Sequence, residues 1–502
     1  MSRPTSNRVI AAYCGIDVGT QGVRAVLLGQ NGEPVASGSA ALAGGRRDGR
    51  RHEQDPADWW TALVSAVRAA LAEGGPDVVV EALALDATSG TVLVESADGA
   101  ARGPALMYDD ARATDQARRA QQAGAELWDA LGYRMQESWA LPKMMWLAEN
   151  AALGPGDRLV HQSDHLVGRL VGAAVATDTS HALKSGVDLR TGAWPADLLR
   201  DLGLDAARLP EVVLPGAVLG VVGAEAAQAT GLVQGTPVRA GMTDGCAAQI
   251  ATGALAPGSW SSALGTTLAI KGSTPSLVRD PQGVVYCHRN PDGGWLPGGA
   301  SSTGAGVIAR NFPPDGDSLD RLTEQARTLV PAPGVTYALD GTGERFPFAA
   351  PDARGFLAPE SAGSAPARFA ALCQSVAYIE RLAYDVLDSL GADVTGPVAL
   401  AGGAARNDWW NQLRTDVLGR PTLLPESVQA ATGMAVLAAA PPGELAITAG
   451  RMVRIRARYE PDPARGAALR PGYERLLDAL TDRGWLDGGL AARALAVPGA
   501  QR

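Results

Sequence analysis

The stretch that decides the fold is "YCGIDVGTQGVRAVLLGQNG" at residues 13–32. An apolar run ends at Asp17, a glycine-rich turn follows, and a second apolar run leads to an Asn-Gly pair. This pattern predicts a strand, a tight turn, a second strand and a further turn into a third strand, which together form a β-meander. On its own the first turn indicates a plain hairpin. The alternative is a phosphate site, in which backbone amides bind the anion while Asp17 holds a hydrated Mg²⁺.

A second copy of this pattern, "SWSSALGTTLAIKG", occupies residues 259–272. It again places a short apolar strand before a Gly-Thr-Thr turn and another apolar strand after it. The separation of roughly 245 residues is too long for a solenoid repeat and favours a duplicated domain pair. We therefore predict one domain at 1–253, a second at 254–490 and a tail at 491–502. Two such hairpins that face each other across a cleft would hold a β- and a γ-phosphate from both sides.

Helices and strands alternate through both predicted domains. Asp55 is a predicted N-cap, with Pro56 at the first position of a helix that ends at a glycine. The Gly-rich segment 42–54 before it is predicted to be an exposed loop, and another helix is predicted near residues 111–123. In the second half, a helix at 367–391 precedes a strand, two glycines and a further helix. Such alternation predicts an α/β protein with helix-covered sheets.

The composition narrows the class of partner. The chain has 502 residues, of which 46% are hydrophobic and 19% are charged, as in an ordinary globular protein. Its formal net charge of -9 argues against a nucleic-acid or membrane-surface partner, because each of these favours a basic face. No apolar stretch approaches the roughly 18 residues that cross a bilayer. The four cysteines lack the spacing of a zinc knuckle or a disulfide framework, so we predict a cytoplasmic protein. The acidic charge is still compatible with a small anionic cofactor, because local glycine loops and a metal can hold phosphates.

A glycine-rich motif follows a predicted strand in "GPVALAGGAARNDWW" at residues 396–410. The chain has no Walker loop, so any nucleotide must bind in another way. Glycines at 402 and 403 would let a ribose and an α-phosphate approach the backbone, and the helix N-terminus that follows favours an anion. The alternative is an ordinary turn between a strand and a helix.

Asp244 stands between a threonine and a glycine in "GMTDGCAAQIATG", residues 241–253. Taken alone, an Asp-Gly pair indicates a turn in which the side chain bonds its own backbone. The alternative is a general base, and the choice depends on the rest of the chain.

Along the chain the first hairpin is followed by the Thr-Asp-Gly segment, the Gly-Thr-Thr hairpin and the Gly-Gly motif, and this order is specific. With it the chain resembles the FGGY family of carbohydrate kinases. The segment "SWALPKMMWLAEN" (138–150) is close to that family's signature, with Lys143 and Trp146 in place. Ala140 departs from the small hydroxyl or proline usual there. Other segments that look like family segments are "HEQDPADWW", "GERFPFAAPDARGF" and "DWWNQLRTDVLGRP". The resemblance runs from about residue 9 to about residue 480.

The resemblance implies an α/β fold with two actin-like, ribonuclease-H-like ATPase domains flanking a catalytic cleft that closes on ATP and a sugar. Asp17 would hold Mg²⁺ through water and Asp244 would be the general base, because phosphoryl transfer needs alignment, charge neutralisation and a group that takes the hydroxyl proton. Ala404 stands where many members have a third glycine. The predicted nucleotide contacts are Thr20, Gly265, Thr266, Trp295, Gly402, Gly403, Ala404, Ala405, Arg406 and Asn407.

The segment 83–113 would line the sugar pocket. In the xylulokinases of this family, a Met-His pair that contacts the ketose typically stands in the place of Thr88 and Ser89, and this chain lacks it. The chain is instead similar to the D-ribulokinase branch, so the resemblance implies phosphorylation of D-ribulose to D-ribulose 5-phosphate. The predicted sugar contacts are Asp17, Gln21, Gly22, Val23, Arg24, Ser89, Asp110, Arg112 and Asp244.

Several of these residues also have a purely structural interpretation. Ser89 could bond only the turn backbone, and Arg24 could lie outside on its strand. Asp110 and Arg112 could form a pocket ion pair, or begin a helix as its N-cap and a first-turn charge. Trp295 could belong to the core.

Two alternatives to the D-ribulose kinase stay open at this point. One is a D-xylulose kinase of the same family, and the other is an ATPase of the actin and chaperone class without sugar kinase activity. The i, i+4 pair of His161 and His165 could suggest zinc, but no third ligand is evident and we favour a helix face. The oligomeric state is open, with a homodimer as one candidate.

Overall fold

The chain is described from a computed structural model, which describes residues 9–312 and 316–496. Residues 497–502 of the predicted tail therefore lie outside the described residues. By internal contacts the chain forms two compact units. Unit 1 comprises Met1–Gly253, His288–Gly294 and Ser427–Arg454, and unit 2 comprises Ala254–Cys287, Trp295–Glu426 and Ile455–Arg502. Unit 1 thus includes 427–454, which the sequence-based division assigns to the second domain.

The strands form five sheets within the described residues. In chain order they are β1 (Ile10–Val18), β2 (Gly22–Gly29), β3 (Pro34–Ala41), β4 (Arg46–Asp48), β5 (Arg51–Gln54), β6 (Val78–Ala87), β7 (Val92–Glu95), β8 (Ala105–Leu106), β9 (Arg158–His161), β10 (Thr177–Asp178), β11 (Val212–Val213), β12 (Val218–Val221), β13 (Pro237–Arg239), β14 (Trp260–Leu264), β15 (Leu268–Gly272), β16 (Tyr286–Arg289), β17 (Trp295–Ala300), β18 (Tyr337–Glu344), β19 (Ala350–Phe356), β20 (Val398–Ala401), β21 (Thr422–Pro425) and β22 (Ile455–Tyr459).

Helices alternate with these strands. They are α1 (Pro56–Gly74), α2 (Thr114–Ala123), α3 (Ala125–Leu131), α4 (Ala140–Asn150), α5 (Gln162–Val171), α6 (Thr179–Ala182), α7 (Ala196–Asp201), α8 (Ala224–Thr230), α9 (Asp244–Ala251), α10 (Gly306–Asn311), α11 (Gly316–Ala326), α12 (Ala365–Ser389), α13 (Asp408–Leu418), α14 (Ala430–Ala439), α15 (Leu445–Met452), α16 (Pro463–Asp482) and α17 (Gly488–Ala496). None of the described helices is both long and apolar enough to cross a membrane.

The largest sheet of unit 1 has the order β12-β13-β6-β1-β2-β3. β1, β2 and β3 are joined antiparallel, which confirms the predicted meander, and β6 lies parallel to β1. Asp55 caps α1 by accepting from the amide of Ala57, and Pro56 is its first residue, as predicted. A Cβ at Gly15 would lie 1.8 Å from the carbonyl oxygen of Ala431, so this glycine lets α14 pack directly on β1.

The predicted loop at 42–54 is wrong in part, because the segment contains the hairpin β4–β5. This hairpin is part of a five-stranded sheet with the order β4-β5-β8-β7-β9. The side chains of His52 and Gln54 are 5% and 6% exposed, and Gln54 Nε2 donates to the carbonyl of Thr20. The arginines and glycines around them hid this inward-facing alternation in the sequence.

The sheet that carries the second hairpin has the order β16-β17-β15-β14-β20-β21-β22. β14 is antiparallel to β15 and parallel to β20, which repeats the arrangement of β1 with β2 and β6. The two-stranded sheet of β18 and β19 lies beside the long helix α12. Both predicted hairpins are therefore present, and each lies inside its own sheet, with a further strand on either side.

Candidate active site

Asp17 and Asp86 are register partners on the neighbouring parallel strands β1 and β6. Asp86 is fully buried, and neither of its carboxylate oxygens has a hydrogen-bond donor. Burial and the charges of Asp17 and Asp244 raise the pKa of Asp86 well above its usual range. The pKa of Asp17 is raised as well, first by burial, so the charge states of the two neighbouring carboxyl groups depend on each other.

Arg24 is the cross-strand partner of Asp17 within the first hairpin. Its Nη1 lies 3.6 Å from Asp17 Oδ2, and its side chain is 61% exposed. Burial raises the pKa of Asp17, and the charge of Asp244 adds to this, while Arg24 offsets part of the shift. Arg24 is therefore an outward-facing strand residue and also the counter-ion of the first carboxylate.

Asp244 is the first residue of α9, and Thr243 is the N-cap residue of that helix. The sequence left a turn and a general base open at this residue, and the helix begins at Asp244 itself. Asp244 is exposed, and its Oδ1 accepts from the amide of Gly245 at 2.8 Å. An isolated parallel bridge between Ala87 and Thr243 places Asp244 beside the end of β6. The charge of Asp244 acts on both Asp17 and Asp86, so the three carboxyl groups lie near one another, beside a helix N-terminus that favours negative charge.

A buried hydroxyl and imidazole network fixes the residue before Asp244. Ser180 Oγ lies 3.0 Å from Thr243 Oγ1 and also accepts from the Thr243 amide. The same Ser180 Oγ lies 3.0 Å from His288 Nδ1. All three residues belong to unit 1, so the position of the Asp244 carboxylate is set within that unit.

The carboxylate cluster suits a divalent cation. Mg²⁺ prefers oxygen ligands and is usually held by one or two carboxylates together with water and substrate phosphates. No group of three or more His, Cys, Asp or Glu side chains in the described part of the chain is placed to hold a metal by itself. Asp17, with the unpartnered oxygens of Asp86 beside it, fits a cation that arrives with a phosphate.

The residues of the first turn offer mainly backbone groups. The amide of Gly19 donates to the carbonyl of Gly22 at 3.1 Å, which closes the turn. Thr20 is half-buried and Gln21 is exposed. Val23 is fully buried in the core of unit 1, so its side chain is not accessible to a substrate.

Ser89 follows β6 in the segment predicted to contact the sugar. Its Oγ is buried and has no hydrogen-bond partner, so the alternative, a bond to the turn backbone, is not made. Its carbonyl accepts from Lys184 Nζ at 3.1 Å. The hydroxyl of the neighbouring Thr88 already has a protein partner, because it donates to Gln162 Oε1 at 2.8 Å.

Asp110 and Arg112 form a buried ion pair, with Arg112 Nη2 at 2.7 Å from Asp110 Oδ2. The N-cap interpretation is wrong, because α2 begins at Thr114 and its N-cap is Ala113. Asp110 is fully buried and also accepts from the His52 amide, so it orients neighbouring groups and has no surface of its own for a ligand.

Arg112 lines a cavity. Its guanidinium also pairs with Glu53 and lies 4.9 Å from the ring centre of Trp146. These three side chains border a cavity of about 320 Å³ in unit 1.

Lys143 of the signature segment is fully buried and donates to the carbonyl of Met107 at 2.7 Å. Burial lowers the pKa of Lys143 to about 7. This bond holds the start of the segment that carries Tyr108. The pKa of Tyr108 is raised by burial first and then by the charges of Asp109 and Asp244.

The second hairpin lies in unit 2, where the amide of Gly265 donates to the carbonyl of Thr267 at 3.0 Å and Thr266 is exposed. Gly402 has a φ of 86°, and a Cβ there would lie 2.4 Å from the carbonyl oxygen of Leu264. Only glycine fits both conditions, so the glycine loop abuts the end of β14 beside the Gly-Thr-Thr turn.

The remaining residues predicted to contact the nucleotide differ in burial and in the hydrogen bonds that they already make. Gly403–Arg406, which includes Ala404 and Ala405, forms a 3₁₀ turn after Gly402. Asn407 caps α13 through the amide of Trp410 and donates to Thr323 Oγ1, so its side chain is occupied. Trp295 is 7% exposed at the start of β17. These contacts stay predictions.

The two histidines with helical spacing have separate partners. His161 is the N-cap residue of α5 and lies outside the helix, with its Nδ1 at 2.8 Å from Asp164 and its Nε2 at 2.7 Å from Ser185. His165 lies within the helix, near Glu95. The helix-face interpretation is therefore correct for His165 only.

Sequence reasoning missed Asp86, the register partner of Asp17. The available signal for Asp86 was a strand that ends in Asp-Ala-Thr, much as β1 ends in Asp-Val-Gly-Thr. Its importance depends on the parallel pairing of β1 with β6, which the sequence does not display.

Comparison with known proteins agrees with this geometry. Residues 12–251 match the family model of the N-terminal domain of the FGGY family of carbohydrate kinases, and residues 261–441 match that of its C-terminal domain. A protein of Streptomyces rubiginosus named xylulose kinase is 30% identical over 438 residues, covering 85% of this chain and 87% of the relative. A xylulose kinase of Bacillus subtilis (strain 168) is 27% identical over 441 residues, with the same shares covered.

Solved structures show the same fold. A xylulose kinase from Rhodospirillum rubrum matches with a TM-score of 0.83 at 23% identity, covering 94% of this chain and 99% of that one. One from Brucella ovis matches with a TM-score of 0.82 at 24% identity, covering 95% and 100%. The predicted α/β fold with two actin-like domains is confirmed.

Proposed function

The chain belongs to the FGGY family of carbohydrate kinases, and from this premise we propose that it transfers the γ-phosphate of ATP to the terminal hydroxyl of a ketopentose. D-ribulose is the proposed preferred substrate and D-ribulose 5-phosphate the product. The observation that carries the proposal is the cluster of Asp17, Asp86 and Asp244, in which only the Asp244 carboxylate is exposed. Family membership sets aside the ATPase without sugar kinase activity.

In the proposed mechanism Asp244 accepts the proton of the attacking hydroxyl. Its exposed carboxylate suits this role, because a general base must reach the hydroxyl within hydrogen-bond distance. Asp17 would hold Mg²⁺ through water, and the cation would neutralise phosphate charge. The amides of the Gly265–Thr267 turn and the Gly402 loop would bind the nucleotide. Alignment and charge neutralisation then supply most of the rate.

The preference for D-ribulose rests on Thr88 and Ser89. Thr88 is held by Gln162, while Ser89 Oγ is without a protein partner and suits a ketose hydroxyl. The Met-His pair typical of xylulokinases at this place is absent. D-xylulose is the second candidate, because the relatives from Streptomyces rubiginosus and Bacillus subtilis are named xylulose kinases.

A coupled ADP-release assay with D-ribulose, D-xylulose, L-ribulose and glycerol tests the proposal. We expect the highest kcat/KM with D-ribulose. A higher value with D-xylulose would replace D-ribulose as the substrate and keep the reaction class. No turnover with any of the four would refute the ketopentose kinase, and an Asp244→Asn sample prepared in parallel controls for contaminating kinases.

Two further predictions of the sequence concern assembly and location. A homodimer is tested by sedimentation of the purified protein, where a single monomeric species would contradict it. The cytoplasmic location is tested by fractionation of the native host, where recovery outside the cytoplasmic fraction would contradict it.

A further inference from the structure

Glu344, at the end of β18 in unit 2, is a buried carboxylate surrounded by neutral donors. It is 3% exposed. Its oxygens accept from the hydroxyls of Ser301, Thr303 and Tyr337 and from the amides of Ser302 and Arg345, at 2.6 to 3.0 Å. Burial, together with the charge and the hydrogen bond of Glu344, raises the pKa of Tyr337. A carboxylate satisfied in this way fixes its donors firmly, because losing it would leave buried donors without a partner.

Three of these donors belong to the segment 301–306, which is joined to the second hairpin. Ser301 donates its amide to the carbonyl of Leu268, and Leu268 donates its amide to the carbonyl of Thr303. The amides of Ala305 and Gly306 donate to the carbonyls of Gly265 and Thr266. Two backbone hydrogen bonds therefore tie the Gly-Thr-Thr turn itself to the segment that Glu344 holds, and two more tie that segment to Leu268, directly after the turn.

The segment 301–306 packs against the turn so closely that side chains at its glycines would clash. A Cβ at Gly304 would lie 2.3 Å from the carbonyl oxygen of Thr266 and 2.5 Å from the Cα of Thr267. A Cβ at Gly306 would lie 2.9 Å from Thr266 Cγ2. Any displacement of the segment is therefore passed to the turn, because protein interiors pack too closely to absorb it.

We propose that Glu344 is a positioning residue for the nucleotide phosphates, acting through Ser301–Thr303 on the Gly265–Thr267 turn. The inference rests on the proposed role of this turn in binding ATP. Glu344 itself does not touch the nucleotide. It holds the backbone amides of the turn in the geometry that a phosphate requires, so that little reorganisation is needed on binding.

The test compares Glu344→Ala with Glu344→Gln and with a matched control, Asp385→Ala. Asp385 is a buried carboxylate of the same unit that accepts a tyrosine hydroxyl, from Tyr473, and it belongs to α12. Glutamine can still accept from the amides of Ser302 and Arg345, while its own amide group donates to the hydroxyls of Thr303 and Tyr337. Affinity for the Mg²⁺ complex of a non-hydrolysable ATP analogue is measured by calorimetry without sugar, alongside thermal stability and KM for the sugar.

We expect Glu344→Ala to weaken analogue binding by about tenfold, or ~1.4 kcal/mol, with KM for the sugar unchanged. Glu344→Gln should restore most of the affinity, and Asp385→Ala should lose thermal stability but keep the affinity. Unchanged binding in Glu344→Ala, or an equal loss in Asp385→Ala, would overturn the inference.

Two further variants keep the inference testable if Glu344→Ala does not fold. Thr303→Val and Tyr337→Phe each remove one donor, and both should weaken analogue binding; unchanged binding in both would overturn the inference. Absence of analogue binding by the wild-type protein would instead refute the proposed function.

Discussion

The two glycine-threonine hairpins share one backbone design and differ in charge. In each, a central strand pairs antiparallel with the strand after the turn and parallel with a distant strand. In unit 1 the strand pairing sets Asp17 beside Asp86. In unit 2 the corresponding position is Ala263, and its partner is Ala401, directly before Gly402. The paired strand positions before the turn are therefore acidic in unit 1 and uncharged in unit 2.

This difference indicates a division of labour. The paired residues of the second hairpin, Ala263 and Ala401, carry no charge, so they do not oppose a phosphate that backbone amides of the turn attract. The acidic surroundings of the first turn repel phosphate unless a cation intervenes, and they raise the pKa of Asp17 and Asp86. Proton transfer and cation binding are thus proposed for unit 1, and nucleotide binding for unit 2.

The largest effect is expected from Asp244→Asn, which removes the proposed base and keeps the shape of the side chain. We expect kcat to fall by about a thousandfold, because general-base catalysis contributes roughly that much. Affinity for an ATP analogue should stay near the wild-type value, since Asp244 is in unit 1 and the amides proposed to bind the nucleotide are in unit 2. Asp58→Asn, at the exposed first turn of α1, is the control and should leave kcat unchanged. Substantial kinase activity in Asp244→Asn would contradict the assignment of the base.

Much of the fold was predictable because it is local. The meander, the capped helix α1 and the second hairpin each follow from consecutive residues. The hairpin β4–β5 was not predictable in this way, because it depends on two inward-facing side chains, His52 and Gln54, in a charged and glycine-rich stretch.

The candidate site shows the same limit. Asp17 and Asp244 stand in recognisable local patterns, so the sequence singled them out. Asp86 gains its importance from pairing between β1 and β6, which lie about 60 residues apart along the chain. In the sequence, Asp110 could be a helix cap or an ion-pair partner. Only the structure decides between these roles, through the contact with Arg112 and the start of α2 at Thr114.

A smaller loss is expected from Asp17→Asn, which makes the first hairpin more like the second. We expect kcat to fall by about a hundredfold, because cation-assisted charge neutralisation is worth several kcal/mol. The Mg²⁺ concentration needed for half-maximal rate should rise, and a titration of rate against Mg²⁺ measures it. Arg24→Gln removes the counter-ion and keeps the carboxylate, so its half-maximal Mg²⁺ concentration should not rise. An unchanged Mg²⁺ dependence in Asp17→Asn would remove Asp17 from the cation site.

The converse change, Ala263→Asp, makes the second hairpin acidic. We expect KM for ATP to rise by about tenfold, because a carboxylate near a phosphate at the surface costs on the order of 1 kcal/mol or more. Ala263→Asn is the matched neutral control and should change KM far less. If both variants raise KM equally, the effect is steric and the charge difference between the hairpins has no bearing on nucleotide binding.

The smallest effect is expected from Lys143, a buried amine in unit 1. Lys143 is fully buried and its pKa is lowered by burial to about 7, against an ordinary value of 10.5. Between these two values the unfolded chain binds a proton that the folded chain does not, so the free energy of unfolding rises with pH.

From about pH 7 to about pH 8 this rise amounts to at most ~1 kcal/mol, and Lys143→Met should abolish it. Losing the bond to Met107 shifts the whole curve of stability against pH without changing its slope, and other titrating groups contribute equally to both proteins. Urea unfolding of wild type and variant across this range measures the two slopes. Parallel curves would mean that Lys143 keeps its proton in the folded protein, and that unit 1 balances its carboxylates with a buried charge.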